Sequence, residues 1–230
     1  KRRHVEPMRA LTLELIALAH LGRTRAVRAL LDTAFNLARE RDPAPLQVMV
    51  GIVRTATPAQ LMVAAARELR AHGHEQLALE ALGRALTWLR TQPASGVINE
   101  ARQFEIAQSL YLARDWSEAR TAFSVLAARD SANVIYRGFL GVIAARTGDQ
   151  ATAQAVDAQF EELRATLTRP RSEAGYWQSK LAAIRGDERR AMAMLWDFTG
   201  GQGSHGAHID FDYENISRSK AFLRFIQPKG

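Results

Sequence analysis

Apolar residues recur along this chain at the spacing of a helix rather than at that of a strand. Over most of its 230 residues they stand at positions i, i+3, i+4 and i+7. No run of four to eight residues alternates cleanly between apolar and polar side chains, as a half-buried strand would. The pattern therefore predicts an all-α fold.

Proline and glycine residues divide this pattern into separate helices. Pro58 suits the first position of a helix, and Gly22 and Gly73 each end one. The pattern predicts helices over these segments: Glu6 to Leu21, Thr24 to Arg41, Leu46 to Thr55, Pro58 to Ala71, His74 to Arg90, Asn99 to Arg114, Trp116 to Arg129, Asn133 to Thr147, Gln150 to Leu167, Glu173 to Arg185, Glu188 to Phe198 and Ser217 to Ile226. Connections of one to three residues predict antiparallel pairs.

Four of these pairs share the same layout at their internal turn. A turn residue is followed by a polar residue that can cap a helix and, five residues after the turn residue, by an alanine. The turn residues and their alanines are Gly73 with Ala78, Arg114 with Ala119, Gly148 with Ala153, and Gly186 with Ala191. The alanines are 41, 34 and 38 residues apart. A period near 34 with two helices per unit is typical of a tetratricopeptide repeat (TPR).

Over about residues 59–199 the chain resembles a TPR array. Leu140-Gly141 stand where the motif has Leu-Gly on its first helix, and Phe123 stands at the aromatic position of a second helix. Small residues at these positions allow two helices to cross closely. The resemblance implies an α–α superhelix, a solenoid of antiparallel helix pairs, with a short C-terminal capping helix.

The C-terminal segment carries a second resemblance. His208-Ile209-Asp210-Phe211-Asp212-Tyr213 is similar to the terminal element of TPR regions in bacterial multidomain regulators. Serine/threonine kinases, adenylate cyclases and transcriptional activators carry such regions after an effector domain. The resemblance implies an upstream effector domain and a role in bacterial signalling. The start at Lys1, without methionine, is interpreted as that of a piece of a longer protein, although recombinant expression would also explain it.

The domain organisation predicted from these patterns has three segments. Residues 1–57 are irregular N-terminal helices that fit the repeat poorly and could be a capping unit. Residues 58–199 hold the TPR-like repeats, and residues 200–230 hold a Gly-rich loop and the C-terminal capping helix.

The positive charge is concentrated at the start of the chain. The net charge is +7, and residues 1–41 hold nine basic and four acidic residues. These basic N-terminal helices support an alternative function, nucleic-acid binding through phosphate contacts. The rest of the chain is nearly neutral and has no long Arg-rich stripe, so nucleic acid is not the expected partner.

The sequence offers no catalytic or cofactor motif. Cysteine is absent, which excludes thiolate zinc sites, disulfides and a thiol nucleophile. The glycines at 200–206 lack the Gly-Lys-Ser/Thr of a phosphate loop, so a flexible connector is predicted. We expect a non-catalytic protein without cofactors. A hydrolase built on an α-solenoid would need evidence such as turnover that depends on His208.

Two groups of histidines could bind a metal, but each also has a simpler explanation at a turn or a helix end. A cluster of His205, His208, Asp210 and Asp212 could ligate a divalent ion, but turn hydrogen bonds and helix capping explain its carboxylates equally well. His72 and His74 flank the turn at Gly73, and His20 lies near a helix end, where its charge would suit the helix dipole. No metal site is therefore predicted.

The predicted working surface follows from the TPR resemblance, which implies that the first helix of each pair lines a concave groove. The groove positions carried onto this sequence form a mixed aromatic and basic strip: Arg67, Arg70, Phe104, Gln108, Tyr111, Val142, Arg146, Tyr176 and Lys180. Such a strip suits a peptide or partner domain with acidic character. The alternative is an unused, solvated face with Phe104 in the core.

The partner predicted from this reasoning is a protein or peptide of unknown identity. No apolar run approaches the roughly 20 residues that cross a bilayer, so no membrane span is expected. The absence of cysteine and of a secretion signal predicts a cytoplasmic location.

Overall fold

The computed structural model describes residues 5–40, 48–49, 52–53, 57–92, 96–166 and 173–227. The chain divides into two compact units, residues 1–122 (the N-terminal unit) and residues 123–230 (the C-terminal unit). The three-segment organisation with boundaries at residues 57 and 199 stays a prediction.

The N-terminal unit consists of helices that pack in pairs. They are α1 (Val5–His20), α2 (Thr24–Glu40), α3 (Pro58–Ala71), α4 (Glu75–Thr91) and α5 (Gly96–Leu112), followed by the start of α6 (Trp116–Arg129). Helix α3 packs against α4, and α1 packs against both α2 and α3. Leu15, Leu31, Leu61, Leu69 and Leu82 are fully buried and form part of this core.

Two short paired strands lie within the segment predicted as a helix over Leu46 to Thr55. Strand β1 (Val48–Met49) pairs antiparallel with β2 (Ile52–Val53), with Val48 opposite Val53 and Met49 opposite Ile52. The helix prediction is wrong for these residues, and residues 46–47, 50–51 and 54–55 lie outside the described part of the chain. Three of the four strand residues are β-branched, and β-branched side chains favour strands over helices.

The C-terminal unit holds α7 (Val134–Arg146), α8 (Gln150–Thr166), α9 (Glu173–Ile184) and α10 (Glu188–Phe198). Two 3₁₀ helices, His205–Ile209 and Phe211–Ile216, and the final α11 (Lys220–Ile226) complete it. Phe222 and Phe225 of α11 are buried in one apolar cluster with residues of α9 and α10. The last helix therefore covers the final helix pair, and the predicted all-α fold of TPR-like pairs with a C-terminal helix is confirmed.

The four repeated turns have the same geometry. Their turn residues all have positive φ, between 62° and 83°, and the alanine of each turn is completely buried. Three of the four polar residues, Asp115, Asp149 and Asp187, accept a hydrogen bond from a backbone N–H three residues further on. The layout read from the sequence thus corresponds to a tight left-handed turn, an N-cap and a close helix contact.

Arg114 is the only residue other than glycine with positive φ in the described ranges (φ 62°). An L side chain in this region costs free energy that glycine avoids. We expect Arg114→Gly to raise the free energy of unfolding by about 0.5–1 kcal/mol, after the higher chain entropy of glycine is taken into account. Urea unfolding measures the change. Arg120→Gly, within helix α6, is the control and should lower stability by about 1 kcal/mol.

Among the described residues, none of the helices combines the length and the hydropathy needed to traverse a bilayer.

Candidate functional site

The N-terminal unit contains a pocket between α3 and α5, the first helices of two consecutive pairs. Its volume is about 320 Å³. Two of the predicted groove residues, Arg67 and Gln108, line it. The other lining residues are Ala59, Gln60, Val63, Ala64, Glu105 and Ser109. The pocket therefore has a small apolar floor from α3 and several polar groups at its sides.

A buried carboxyl group lies in this pocket. The Nε2 of Gln60 donates a hydrogen bond of 2.7 Å to Oε1 of Glu105. Gln60 also takes part in the capping box at the start of α3, where it exchanges hydrogen bonds with Thr57. Burial raises the pKa of Glu105, and the hydrogen bond from Gln60 opposes this effect only in part.

Two polar atoms of the pocket can each form a further hydrogen bond. Nε of Arg67 and Oε2 of Glu105 are buried and have no hydrogen-bond partner among the residues that the structure describes. Buried polar atoms are normally paired, because losing water without a replacement costs free energy. The site is therefore suited to a ligand that brings both an acceptor and a donor.

The raised pKa of Glu105 predicts a specific dependence of stability on pH. A folded-state pKa above the unfolded one gives stability that is present at low pH and lost as pH rises through the folded value. We expect Glu105→Gln to lose this dependence, so that its stability relative to the wild type increases as pH rises above about 4.3, the ordinary value for Glu. Urea unfolding from pH 4 to 7 tests this. Glu14→Gln, at an exposed position, is the control, and parallel curves for Glu105→Gln and the wild type would contradict the expectation.

The other predicted groove residues of the N-terminal unit do not line the pocket. Arg70 forms an ion pair with Glu75 across the turn between α3 and α4, at 2.8 Å. The hydrogen bond from Arg70 lowers the pKa of Glu75 and outweighs the opposing effect of burial. Tyr111 is buried and packs edge-on against Trp116, and Phe104 is half-buried. Their contact with a partner stays a prediction.

In the C-terminal unit, the predicted groove residues bind the loop that follows α10. Nζ of Lys180 lies 2.8 Å from Oδ2 of Asp210 and 3.2 Å from Oδ2 of Asp212. The hydroxyl of Tyr176 donates a 2.7 Å hydrogen bond to Asp210. Burial would lower the pKa of Lys180, but these groups outweigh it and hold that pKa well above its usual value. Burial also raises the pKa of Tyr176 to about 12.

Arg146 binds the same loop from α7. Its Nε and Nη2 donate to Oδ1 of Asp212 at 3.2 and 3.0 Å, and Nη1 lies 2.7 Å from Glu214. Its guanidinium carbon also lies 4.4 Å from the centre of the Phe211 ring. Arg146, Tyr176 and Lys180 thus have partners within the chain, and Val142 is fully buried. Arg146, Tyr176 and Lys180 therefore hold the C-terminal segment in place. Their binding to an external partner stays a prediction.

The two aspartates of the predicted histidine and aspartate cluster bind cations of this chain. Asp210 and Asp212 face the cations described above, and Asp210 also caps the second 3₁₀ helix by accepting from the N–H of Asp212. The side chain of His205 lies outside the described residues. Gly200 and Gly201 have positive φ and end α10, and the N–H of Ser204 donates to the carbonyl of Phe225.

Besides Asp210 and Asp212, the C-terminal unit has another buried carboxylate, Asp157, which the sequence reasoning missed. Asp157 of α8 lies 3.0 Å from Arg185 and 2.8 Å from Arg190, and Gln178 donates to it at 3.0 Å. Burial raises the pKa of Asp157, but the hydrogen bonds from Arg190 and Gln178 outweigh it, and the net shift is downward. These partners are 21–33 residues away in sequence, so no local motif reveals them.

The basic N-terminal helices are partly engaged in ion pairs. Arg28 binds Glu80 at 3.0 Å, and Arg84 of α4 pairs with Asp32 of α2. Arg23 and Arg25 are exposed, and residues 1–4 and Arg41 lie outside the described residues. Arg23, Arg25 and Arg28 do not line the pocket.

One solved structure is similar to this chain. No protein-family profile and no curated protein match the chain. The solved structure is that of nearly identical TPR-like repeats described for a kinesin light chain of Podosopora anserina. It is 14% identical, covers 86% of this chain and 96% of its own, and has a TM-score of 0.49.

Proposed function

We propose that this chain is a non-catalytic protein–protein interaction module that binds a peptide in the pocket between α3 and α5. Arrays of helix pairs commonly present binding surfaces of this kind. The observation that carries the proposal is that Arg67 and Gln108 line one pocket together with the half-buried Glu105. Both residues were predicted from their place on first helices.

The chemistry of the pocket favours a peptide with an acidic side chain next to a small apolar one. Arg67 would donate to the carboxylate through its buried Nε, and arginine is well suited to carboxylate recognition. The peptide's apolar side chain would cover Ala59, Val63 and Ala64. A backbone N–H of the peptide would donate to Glu105, while Gln108 would hydrogen-bond the peptide backbone.

The wider role that we propose is scaffolding within a larger bacterial signalling or regulatory protein, in the cytoplasm. Its support is the resemblance of the segment around His208 to the terminal element of TPR regions in such regulators. In this proposal, an effector domain precedes the chain, and residues 1–57 cap the repeats.

A peptide array tests the binding proposal. The purified chain is applied to short peptides in which one Asp or Glu is combined with neighbouring Ala, Val or Ser. The affinity of the best peptide is then measured by fluorescence anisotropy for the wild type, Arg67→Glu and Gln108→Ala. We expect Arg67→Glu to weaken binding by about 30-fold or more, since a buried charge-assisted hydrogen bond is replaced by repulsion.

Arg25→Glu is the matched control, because it makes the same charge change at an exposed site of α2 in the same unit. The proposal requires that this variant bind as the wild type does. Binding that survives in Arg67→Glu and disappears in Arg25→Glu, with a steep dependence on salt, would favour the basic helices instead.

A further inference from the structure

The two histidines near the end of α1 and the end of α3 lie together with a buried glutamate. His20 is the last residue of α1, Glu68 lies in the final turns of α3, and His72 follows that helix. One ligand atom from each of these three residues lies within 4.8 Å of the others. All three belong to the N-terminal unit, in which α1 and α3 pack directly on each other.

The distances between the side chains of this cluster are close to the distances between ligand atoms around a bound metal ion. Nε2 of His72 lies 3.6 Å from Oε2 of Glu68, and the rings of His20 and His72 have centroids 4.4 Å apart. In a tetrahedral zinc site with bonds of about 2.0–2.1 Å, the ligand atoms are roughly 3.3 Å from one another. Small side-chain rotations therefore bring the three atoms around one centre.

The surroundings also favour a cation over a simple ion pair. Oε2 of Glu68 and Nε2 of His72 are shielded from solvent. A divalent ion accepts a lone pair from both neutral rings and neutralises the carboxylate at the same time.

We propose that His20, Glu68 and His72 form a zinc site. Two imidazole nitrogens and a carboxylate oxygen, with no thiolate, suit Zn²⁺ and other first-row divalent ions. His72 follows α3 directly and lies four residues after Glu68, so the two side chains are on the same side of the helix end, and His20 reaches them from α1.

The proposed site is independent of the pocket, because none of its three residues lines that cavity. Sequence reasoning missed it because His20 is about fifty positions from the other two and no local spacing joins them. His72 was instead interpreted as a polar turn residue and His20 as a charge at a helix end.

Metal titration of the chain without an affinity tag tests the proposal. After dialysis against a chelator and its removal, Zn²⁺ is titrated by calorimetry, and Co²⁺ is used to record the visible absorption of a tetrahedral site. We expect one Zn²⁺ per chain, a rise in Tm on its addition, and affinities lowered about tenfold or more in His20→Ala and His72→Ala.

His74→Ala is the matched control, because His74 follows the same turn but lies outside the cluster. It should bind Zn²⁺ as the wild type does. Since His20 is exposed, His20→Ala preserves the core and keeps the test valid if His72→Ala is poorly folded. Absence of Zn²⁺ binding, or equal binding by the wild type and His20→Ala, would overturn the proposal.

Discussion

Replacing Gly138 with alanine is expected to lower the stability of the C-terminal unit by about 3 kcal/mol, because no space exists for one additional carbon atom. A Cβ built on Gly138 of α7 would lie 2.0 Å from Cδ2 and 2.5 Å from Cγ of Trp177. The indole cannot rotate away easily, since Trp177 is buried and its ring packs edge-on against Phe139 at 4.8 Å. Urea unfolding, followed by tryptophan fluorescence, measures the loss.

Gly83→Ala is the control, because the same substitution should raise stability there instead of lowering it. Gly83 lies in α4, and a Cβ there would meet no atom within 4 Å. Alanine favours a helix over glycine by about 1 kcal/mol, so this variant should be more stable than the wild type. Equal stability of Gly138→Ala and the wild type would show that α7 and α9 do not approach as closely as described.

Asp212→Ala is expected to cost about 3–5 kcal/mol, the typical loss when one partner of a buried ion pair is removed. Asp212 is fully buried and lies between the cations of Lys180 and Arg146, both of which are also buried. Without Asp212, Lys180 keeps Asp210 as a carboxylate partner, and Arg146 keeps the more exposed Glu214. Thermal and urea unfolding both measure the effect.

Glu214→Ala is the control for this variant. Glu214 binds the same Arg146 but is 41% exposed, so its loss should cost less than about 1 kcal/mol. If the two variants were equally stable, Asp212 would not be the buried anchor of the C-terminal loop.

The helix pairs could be predicted from the sequence because their determinants are local. A turn glycine, a capping aspartate and an alanine five residues after the turn residue lie within one short segment, as at Gly148, Asp149 and Ala153. Each also has a direct physical role, since the turn needs positive φ and the buried alanine allows close helix contact. Helix α3, from Pro58 to Ala71, was predicted with its observed bounds.

The chemistry of the groove could be predicted only in part, because it depends on distant residues. Arg67 and Gln108 follow from their positions on first helices. The burial of Lys180 depends on Asp210 and Asp212, about thirty residues later in the chain. A periodic pattern identifies which helix face a residue occupies, but it does not identify the loop that covers that face.

The paired strands at residues 48–49 and 52–53 show another limit of the pattern. A short apolar run fits both a helix and a strand, and periodicity alone does not separate them. Its β-branched residues, Val48, Ile52 and Val53, were the available signal for a strand.

The most direct test of peptide binding between α3 and α5 is the NMR signal of the Arg67 Nε–H group. This atom is buried and has no hydrogen-bond partner among the described residues, so a bound carboxylate should shift its resonance strongly. The signal is assigned with Arg67→Lys and followed while the best array peptide is added. We predict a large, saturable shift for Arg67 and none for Arg25. An unchanged Arg67 signal at saturating peptide, with shifts elsewhere, would contradict the account.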